Sequence, residues 1–293
     1  MQFHEVKNGI NDRKWWLENF PDETKLQEII ILSKKKLSPE IFKFFFGIKV
    51  YETFAGRSNI KTGRLYKQDD LFSLGIKNNI SAGISFYDGL MQESVGQEII
   101  KRCKSNGVNF YENNEIKSIR SEGRIEEKQY KKIIIATGPW VSSFLKQNKI
   151  DTNKTIDYIK GSHLIINRKI KKGLMFRDQK KHRYIFALPY QGNLLLGTTE
   201  QRVRSPEDNH VLDSEVNYLL ESINIYIDRP INKDEIIKSY SGVRPLIKSK
   251  AQDFHSSSRD FYIQKDHNLL SLFGGKWTTA PSIARNIVRI VNN

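Results

Sequence analysis

Hydrophobic positions along the chain fall into two textures, helical early and strand-like later. The run opened by Pro21-Asp-Glu-Thr-Lys carries Leu26, Ile29, Ile30 and Leu32, with acids early and lysines late as a helix dipole prefers, and this predicts an amphipathic helix. Ile41-Phe42 and Phe44-Phe45-Phe46 follow Ser38-Pro39, a helix start, so the chain to about Ile80 reads as mostly helical. Trp15-Trp16 beside these runs reads as core or lid packing. Gln92–Ser105 has helical spacing (Val95, Ile99, Ile100, Cys103) and stops at Asn106-Gly107, a C-cap signal. Strands are expected at Val108–Tyr111 and Ile116–Ile119. The continuous apolar run Lys131–Thr137 predicts a strand buried on both faces, as in a parallel sheet, with Gly138-Pro139 ending it and a helix from Trp140.

From about Tyr158 the alternation becomes that of strands: His163–Asn167, Tyr184–Leu188, Leu194–Thr198, Ser239–Leu246, Phe261–Gln264 and Leu269–Phe273. One helix interrupts them, Asp213–Ile227, capped by Asp213 or Ser214. Thr278–Val291 is again helical, with Ile283, Ile287 and Ile290 as its stripe. Helix, strand, turn and helix followed by an antiparallel sheet predicts an α/β protein of two interleaved parts. The expected boundaries are a helical region at 1–85, a nucleotide-binding part at 86–155, a mainly antiparallel substrate part at 156–265, and a return to the nucleotide-binding part at 266–293.

Composition narrows the classes. Lys plus Arg number 48 against 33 Asp plus Glu, a formal charge of +15. Such a balance suits nucleic acid, an anionic membrane surface or an anionic substrate. The lysines are scattered, as at Lys34-Lys35-Lys36 and Lys171-Lys172, without interleaved stacking aromatics, so no nucleic-acid partner is expected. One cysteine, Cys103, excludes an internal disulfide framework and a Cys-based zinc cluster, and no metal site is expected. The start has no signal-peptide pattern, which makes a cytoplasmic location the expectation.

Four segments carry candidate chemistry. Ala136-Thr137-Gly138-Pro139-Trp140 lies at the end of the buried strand, where open α/β sheets bind ligands and a glycine admits close backbone approach. Lys160-Gly161-Ser162-His163 precedes a strand and offers an anion contact and an imidazole for proton transfer; a structural histidine is the alternative. In Tyr240-Ser241-Gly242-Val243-Arg244-Pro245 a rigid backbone surrounds one arginine suited to a carboxylate or phosphate, or to a plain salt bridge. Arg259-Asp260 is a second clamp or an internal ion pair. Phe273-Gly274-Gly275-Lys276-Trp277-Thr278-Thr279 stands between a strand and the last helix, the setting of an anion site, without the spacing of a P-loop.

Taken in order, these segments resemble the FAD-dependent glycerol-3-phosphate dehydrogenases, a branch of the D-amino-acid-oxidase-like oxidoreductases. The matching residues are ATGPW at 136–140, KGSH at 160–163, LLGTTE at 195–200, YSGVRPL at 240–246, SSRDF at 257–261 and LLSLFGGKWTT at 269–279. The likeness is thinner earlier, in FFFGIKVYETFAGRS at 44–58 and ISFYDGLMQES at 84–94. It implies an FAD-binding domain interleaved with a substrate domain, and oxidation of sn-glycerol 3-phosphate to dihydroxyacetone phosphate with electrons passed to a quinone. By position it makes His163 the base at the C2 hydroxyl and Arg244 the residue orienting substrate. Lys160, Arg244, Arg259 and Lys276 become substrate ligands, Arg259 and Lys276 pairing with its phosphate or hydroxyl groups, and Lys276 is also a catalytic candidate beside His163 and Arg244. Thr137, Gly138, Gly274, Gly275, Lys276, Trp277 and Thr278 become the FAD contacts. A peripheral position on the inner face of the cytoplasmic membrane accompanies the quinone.

The chain departs from that family at one point. The family opens on a strand and a G-x-G-x-x-G turn that seats the FAD pyrophosphate. Here no two of the 18 glycines are separated by a single residue. The expectation is therefore an FAD-binding domain lacking its first βαβ unit, with weak or absent FAD binding in isolation; the sequence is a fragment, a split reading frame whose N-terminal segment is a separately encoded partner, or a degenerate homologue. The alternatives are a non-catalytic remnant or subunit, and an oxidase of the same superfamily acting on another small anion.

Overall fold

The computed structural model describes residues 3–35, 39–54, 62–178, 183–248 and 261–292. The first elements are α1 (Phe3–Asn19), β1 (Thr24–Ser33), α2 (Pro39–Phe54), β2 (Leu65–Lys67), α3 (Gln68–Phe72), β3 (Ala82–Met91) and α4 (Val95–Ser105). Then come β4 (Ile119–Arg120), β5 (Arg124–Ile125), β6 (Lys128–Gln129), β7 (Ile133–Ile135), α5 (Val141–Gln147), β8 (Ile156–Ile166) and β9 (Gly173–Arg177). The chain ends with β10 (Tyr184–Tyr190), β11 (Asn193–Gly197), β12 (Gln201–Val203), α6 (Asp213–Asn224), β13 (Ile236–Ile247), β14 (Phe261–Asp266), β15 (Leu269–Gly274) and α7 (Ala280–Asn292).

Two sheets carry the fold. The larger runs β12-β8-β11-β10-β9-β1-β3-β2, with β13 added against β8, and every pairing in it is antiparallel except β1 with β9. Leu164 and Ile166 of β8 pack with Leu219, Leu220 and Ile223 of α6 on one face of this sheet. The smaller sheet is β14-β15-β7, in which β7 and β15 run parallel. Its core is Ile133, Ile135, Val141, Leu145, Leu269 and Phe273. Because β7 finds its partner more than a hundred residues onward, the smaller sheet is closed only after the larger one is complete. The result is the expected mixed α/β architecture, a mainly antiparallel part set within a part built on a parallel pair.

Several local expectations are corrected. The Leu26–Leu32 run is strand β1, not a helix. Its Ile30 and Leu32 enter the core under α6, whereas Ile29 and Ile31 join Met175, Phe44 and Ile48 on the opposite face. A strand covered on both faces needs no polar alternation, so four successive branched residues imitate a helix stripe. Conversely, β7 is covered on one face only: Ile133 and Ile135 are buried, while Ile134 is 47% exposed. Val108–Tyr111 forms no strand, and its Val108, Phe110 and Tyr111 are exposed. Of Ile116–Ile119 only Ile119 enters a two-residue strand. Helix α6 is started by Glu215, whose Oε2 accepts the Leu212 N–H at 3.1 Å, rather than by Asp213 or Ser214.

Candidate active site

The site is built on the alternation of β8. Lys160-Gly161-Ser162-His163 lies inside this strand and not ahead of it, paired residue for residue with β13: Tyr240 opposite His163, Gly242 opposite Gly161, Arg244 opposite Ile159. Successive side chains of a strand point to opposite faces, so Gly161 and His163 share one face with Tyr240 and Arg244. Lys160 and Ser162 point the other way, toward α6.

That alternation settles where Lys160 goes. Its amine is 3% exposed, lies 2.8 Å from Glu215 Oε2, and donates to the His210 carbonyl at 2.7 Å. Glu215 Oε1 also accepts the Thr199 hydroxyl at 2.6 Å, and Thr199 Oγ1 accepts the Ser162 N–H at 2.9 Å. Burial works to raise the Glu215 carboxyl, but the bonds from Lys160, Thr199 and the Leu212 N–H outweigh it and hold the group below the ordinary carboxylate range. Lys160 therefore sits behind the site face and does not line its cavity.

On the site face the His163 ring lies between two neighbouring strands. It stacks on Tyr240 with centroids 5.2 Å apart and planes at 13°. On the other side it covers Gly197, where an added Cβ would fall 2.2 Å from the ring; only glycine leaves that space. Burial first, and the Arg244 guanidinium second, push the imidazole down to about 4. The ring is therefore neutral at pH 7, and its buried Nδ1 has no hydrogen-bond partner among the described residues.

Beside it opens a cavity of about 830 Å³. Its charged lining is Arg183, Glu200, Arg244 and Lys276, two formal positive charges in excess. Glu200 Oε1 stands 3.4 Å from Arg183 Nη2 and 3.5 Å from Arg244 Nη1, and Arg244 Nη2 donates to Thr198 Oγ1 at 3.1 Å. One carboxylate thus fixes two guanidiniums at the cavity wall, an arrangement suited to a compact anion. Arg183 was not singled out from the sequence, and Thr198 and Glu200 entered only within the matching segment LLGTTE at 195–200, without a role. The signal available for the latter two was Gly197-Thr198-Thr199-Glu200, a polar run at the end of an apolar strand.

The remaining wall comes from the smaller sheet. As β7 and β15 are parallel neighbours, the turns following them leave at the same end, the carboxyl end where such sheets hold ligands. Thr137 and Gly138 form the first turn; Gly274, Gly275, Lys276, Trp277 and Thr278 form the second. Gly275, at φ 89°, also meets Ile283, to whose Cδ1 an added Cβ would come within 2.8 Å. Gly275, Lys276 and Trp277 line the cavity, and Trp16 of α1 braces the turn by donating to the Thr278 carbonyl at 2.9 Å. Of the predicted site residues, Arg244, Gly275, Lys276 and Trp277 line the cavity together; His163 lies next to Arg244 but is not among the lining residues, nor are Thr137, Gly138, Gly274 and Thr278. Arg259 lies outside the described residues.

Known proteins match the chain along nearly its whole length. It is 25% identical to a glycerol-3-phosphate dehydrogenase of Pseudomonas tolaasii over 97% of the chain and 59% of that protein. It is 27% identical to an aerobic glycerol-3-phosphate dehydrogenase of Staphylococcus saprophyticus over 94% of the chain and 54% of that protein. The chain thus spans little more than half the length of these curated relatives. Its fold superposes on the L-alpha-glycerophosphate oxidase of Mycoplasma pneumoniae, solved with FAD bound, with a TM-score of 0.75, 18% identity, and coverage of 98% of this chain and 79% of that one. The model of the FAD dependent oxidoreductases matches residues 48–290, and the chain belongs to that family.

Proposed function

We propose that the chain carries the substrate site and part of the cofactor site of an FAD-dependent sn-glycerol-3-phosphate dehydrogenase that yields dihydroxyacetone phosphate and passes electrons to a quinone. The observation that supports this most is a cationic cavity walled by Arg244, with a neutral, half-buried imidazole next to that arginine on the same sheet face. A phosphomonoester needs cations to replace its water, and Arg244 and Lys276, which line the cavity together with Arg183, would supply them. Oxidation of a secondary alcohol needs its hydroxyl proton removed as the C2 hydrogen leaves with its electron pair. His163 is the group for that proton, because an imidazole titrating at about 4 is unprotonated at neutral pH. Arg244, held by Thr198 and Glu200, would fix the substrate beside that imidazole and favour the developing alkoxide electrostatically.

The chain's own residues fit the flavin in one respect: two glycine turns with positive φ at Gly138, Gly274 and Gly275 bring exposed backbone to the same end of a parallel strand pair. Thr137, Gly138 and Gly274 to Thr278 would hold it there, and when bound it would accept the hydride from C2. No G-x-G-x-x-G turn occurs among these residues, so the grip on the pyrophosphate would have to be supplied by others. Docking of the assembly on the inner face of the cytoplasmic membrane would bring it to a lipid-soluble quinone.

The test is reconstitution. The full chain, alone and co-expressed with a relative's fingerprint segment, is examined for flavin absorbance, an FAD-induced thermal shift and dye-linked oxidation of glycerol 3-phosphate. Yellow, active protein that loses turnover on Arg244→Ala or His163→Ala supports the reading. Flavin-free, inactive protein in both preparations, or full activity in either variant, overturns it.

A further inference from the structure

Strands β8 and β13 set two glycines opposite each other on the site face, Gly161 and Gly242. Along β13 that face reads Tyr240, Gly242, Arg244; along β8 it reads His163, Gly161, Ile159. A strand rises about 3.3 Å per residue, so the backbones of Tyr240 and Arg244 stand roughly 13 Å apart with no side chain between them on this face.

The two glycines are not equivalent. A Cβ built on Gly161 would fall 2.4 Å from Thr198 Oγ1 and 2.9 Å from Arg244 Nη2, so this half of the pair is filled. The guanidinium folds back over Gly161, in the direction of the imidazole. A Cβ built on Gly242 would meet no atom of the described residues within 4 Å, and Gly242 is exposed. It forms an open shelf, bounded by Tyr240 and its stacked His163 at one end and by Arg244 at the other. Val243 and Arg244, the next residues along β13, line the cavity. The shelf therefore begins where the cavity wall ends and leads from it to the imidazole.

Glycine weakens a strand interior, and there it marks an unusual backbone, a bulge or the close approach of another group. The first two do not apply to Gly242. Its φ is not positive, and the register of β13 with β8 runs unbroken through it. Packing does not demand glycine either, since a methyl would have room. A close approach remains. We infer that the missing side chain at Gly242 sets which ligands enter: the carbon chain of the substrate lies on this backbone, its carbinol toward His163 and its charged end toward Arg244 and the cavity. This rests on the proposed function and adds to it the place of the substrate's carbons.

The test is calorimetric titration of the full chain with inorganic phosphate and with glycerol 3-phosphate, for wild type and Gly242→Ala, with urea unfolding alongside. Alanine there meets open space and costs less chain entropy than glycine, so the unfolding midpoint should stay or rise. Phosphate reports the cations alone and should bind the variant within about twofold of wild type. Glycerol 3-phosphate should bind wild type more tightly than phosphate does, and should lose about tenfold or more when the methyl occupies the shelf. A variant that binds the ester as wild type does overturns the inference and leaves the proposed function standing. An equal loss for phosphate also overturns it, because the substitution would then act through Arg244. So does a variant that fails to fold, since the shelf would not then be open, and so does a wild type without preference for the ester. A wild type that binds neither anion refutes the proposed function, and the inference with it.

Discussion

Protonation of His163 should cost the folded protein stability, and the amount follows from its surroundings. An unfolded chain titrates its histidines near 6.5, whereas His163 in place between Gly197 and Tyr240 is pushed down to about 4. Between these values the unfolded state binds the proton and the folded state does not, so stability rises with pH across this window. The contribution is complete above about 6.5, drains as pH falls, and is gone below about 4. That interval corresponds to about 3 kcal/mol. Other groups titrate over the same range, so the comparison is with His163→Asn, which keeps a small polar group in the slot and removes the titration. Urea unfolding, followed by tryptophan emission at steps from neutral to acid pH, gives the free energy of each protein. The difference between wild type and variant should change by about 3 kcal/mol across the series, in the direction of a wild type weakened by acid. Parallel curves would refute the reasoning, as would an imidazole C2 proton resonance that titrates near 6.5 in the folded protein.

Further outcomes follow from the same geometry. Glu215→Ala leaves the Lys160 amine buried with only the His210 carbonyl, and should cost about 3–5 kcal/mol in urea unfolding, most of it recovered by pairing Lys160→Met with Glu215→Leu. Gly197→Ala drives a methyl into the His163 ring and should destabilise the protein by about 1–3 kcal/mol while shifting the histidine's titration toward its ordinary value. Arg244→Ala should weaken binding of glycerol 3-phosphate about tenfold or more by calorimetry, and Arg244→Lys should recover only part, because a point charge cannot reproduce the fork that meets Thr198 and Glu200.

The strands β8, β10, β11, β13, β14 and β15, and helices α4, α6 and α7, were legible because each carries a period that survives in isolation. The glycine turns were legible for a similar reason, since Gly138 and Gly274-Gly275 need positive φ that few residues tolerate. Strand β1 misled because a strand covered on both faces loses its alternation, and one of its covers, α6, comes from far along the chain. Ile134 misled in the opposite sense: three isoleucines in a row look buried throughout, yet one face of β7 has no described neighbour to cover it. Lys160 shows what motif reading omits. The charge next to a glycine looks like a ligand until the pleat assigns it to the far face, and its partner Glu215 is set by helix packing more than fifty residues away. Arg183 joins the cavity only through the pairing of β10 with β11, which brings it beside Glu200.

The pairing of Lys160 with Glu215 also bears on how the chain finds its fold. Strand β8 is paired along its length with β13, and a slip of one residue would preserve nearly every backbone hydrogen bond. It would turn Lys160 onto the cavity face and drive His163 into the aliphatic layer beneath α6, leaving the Glu215 carboxylate buried with its countercharge gone. A layer made only of isoleucine and leucine would tolerate the slipped sheet; one lysine and one glutamate do not. The ion pair behind the site thus acts as a key that admits a single alignment of the sheet, and the imidazole and guanidinium in front inherit their placement from it.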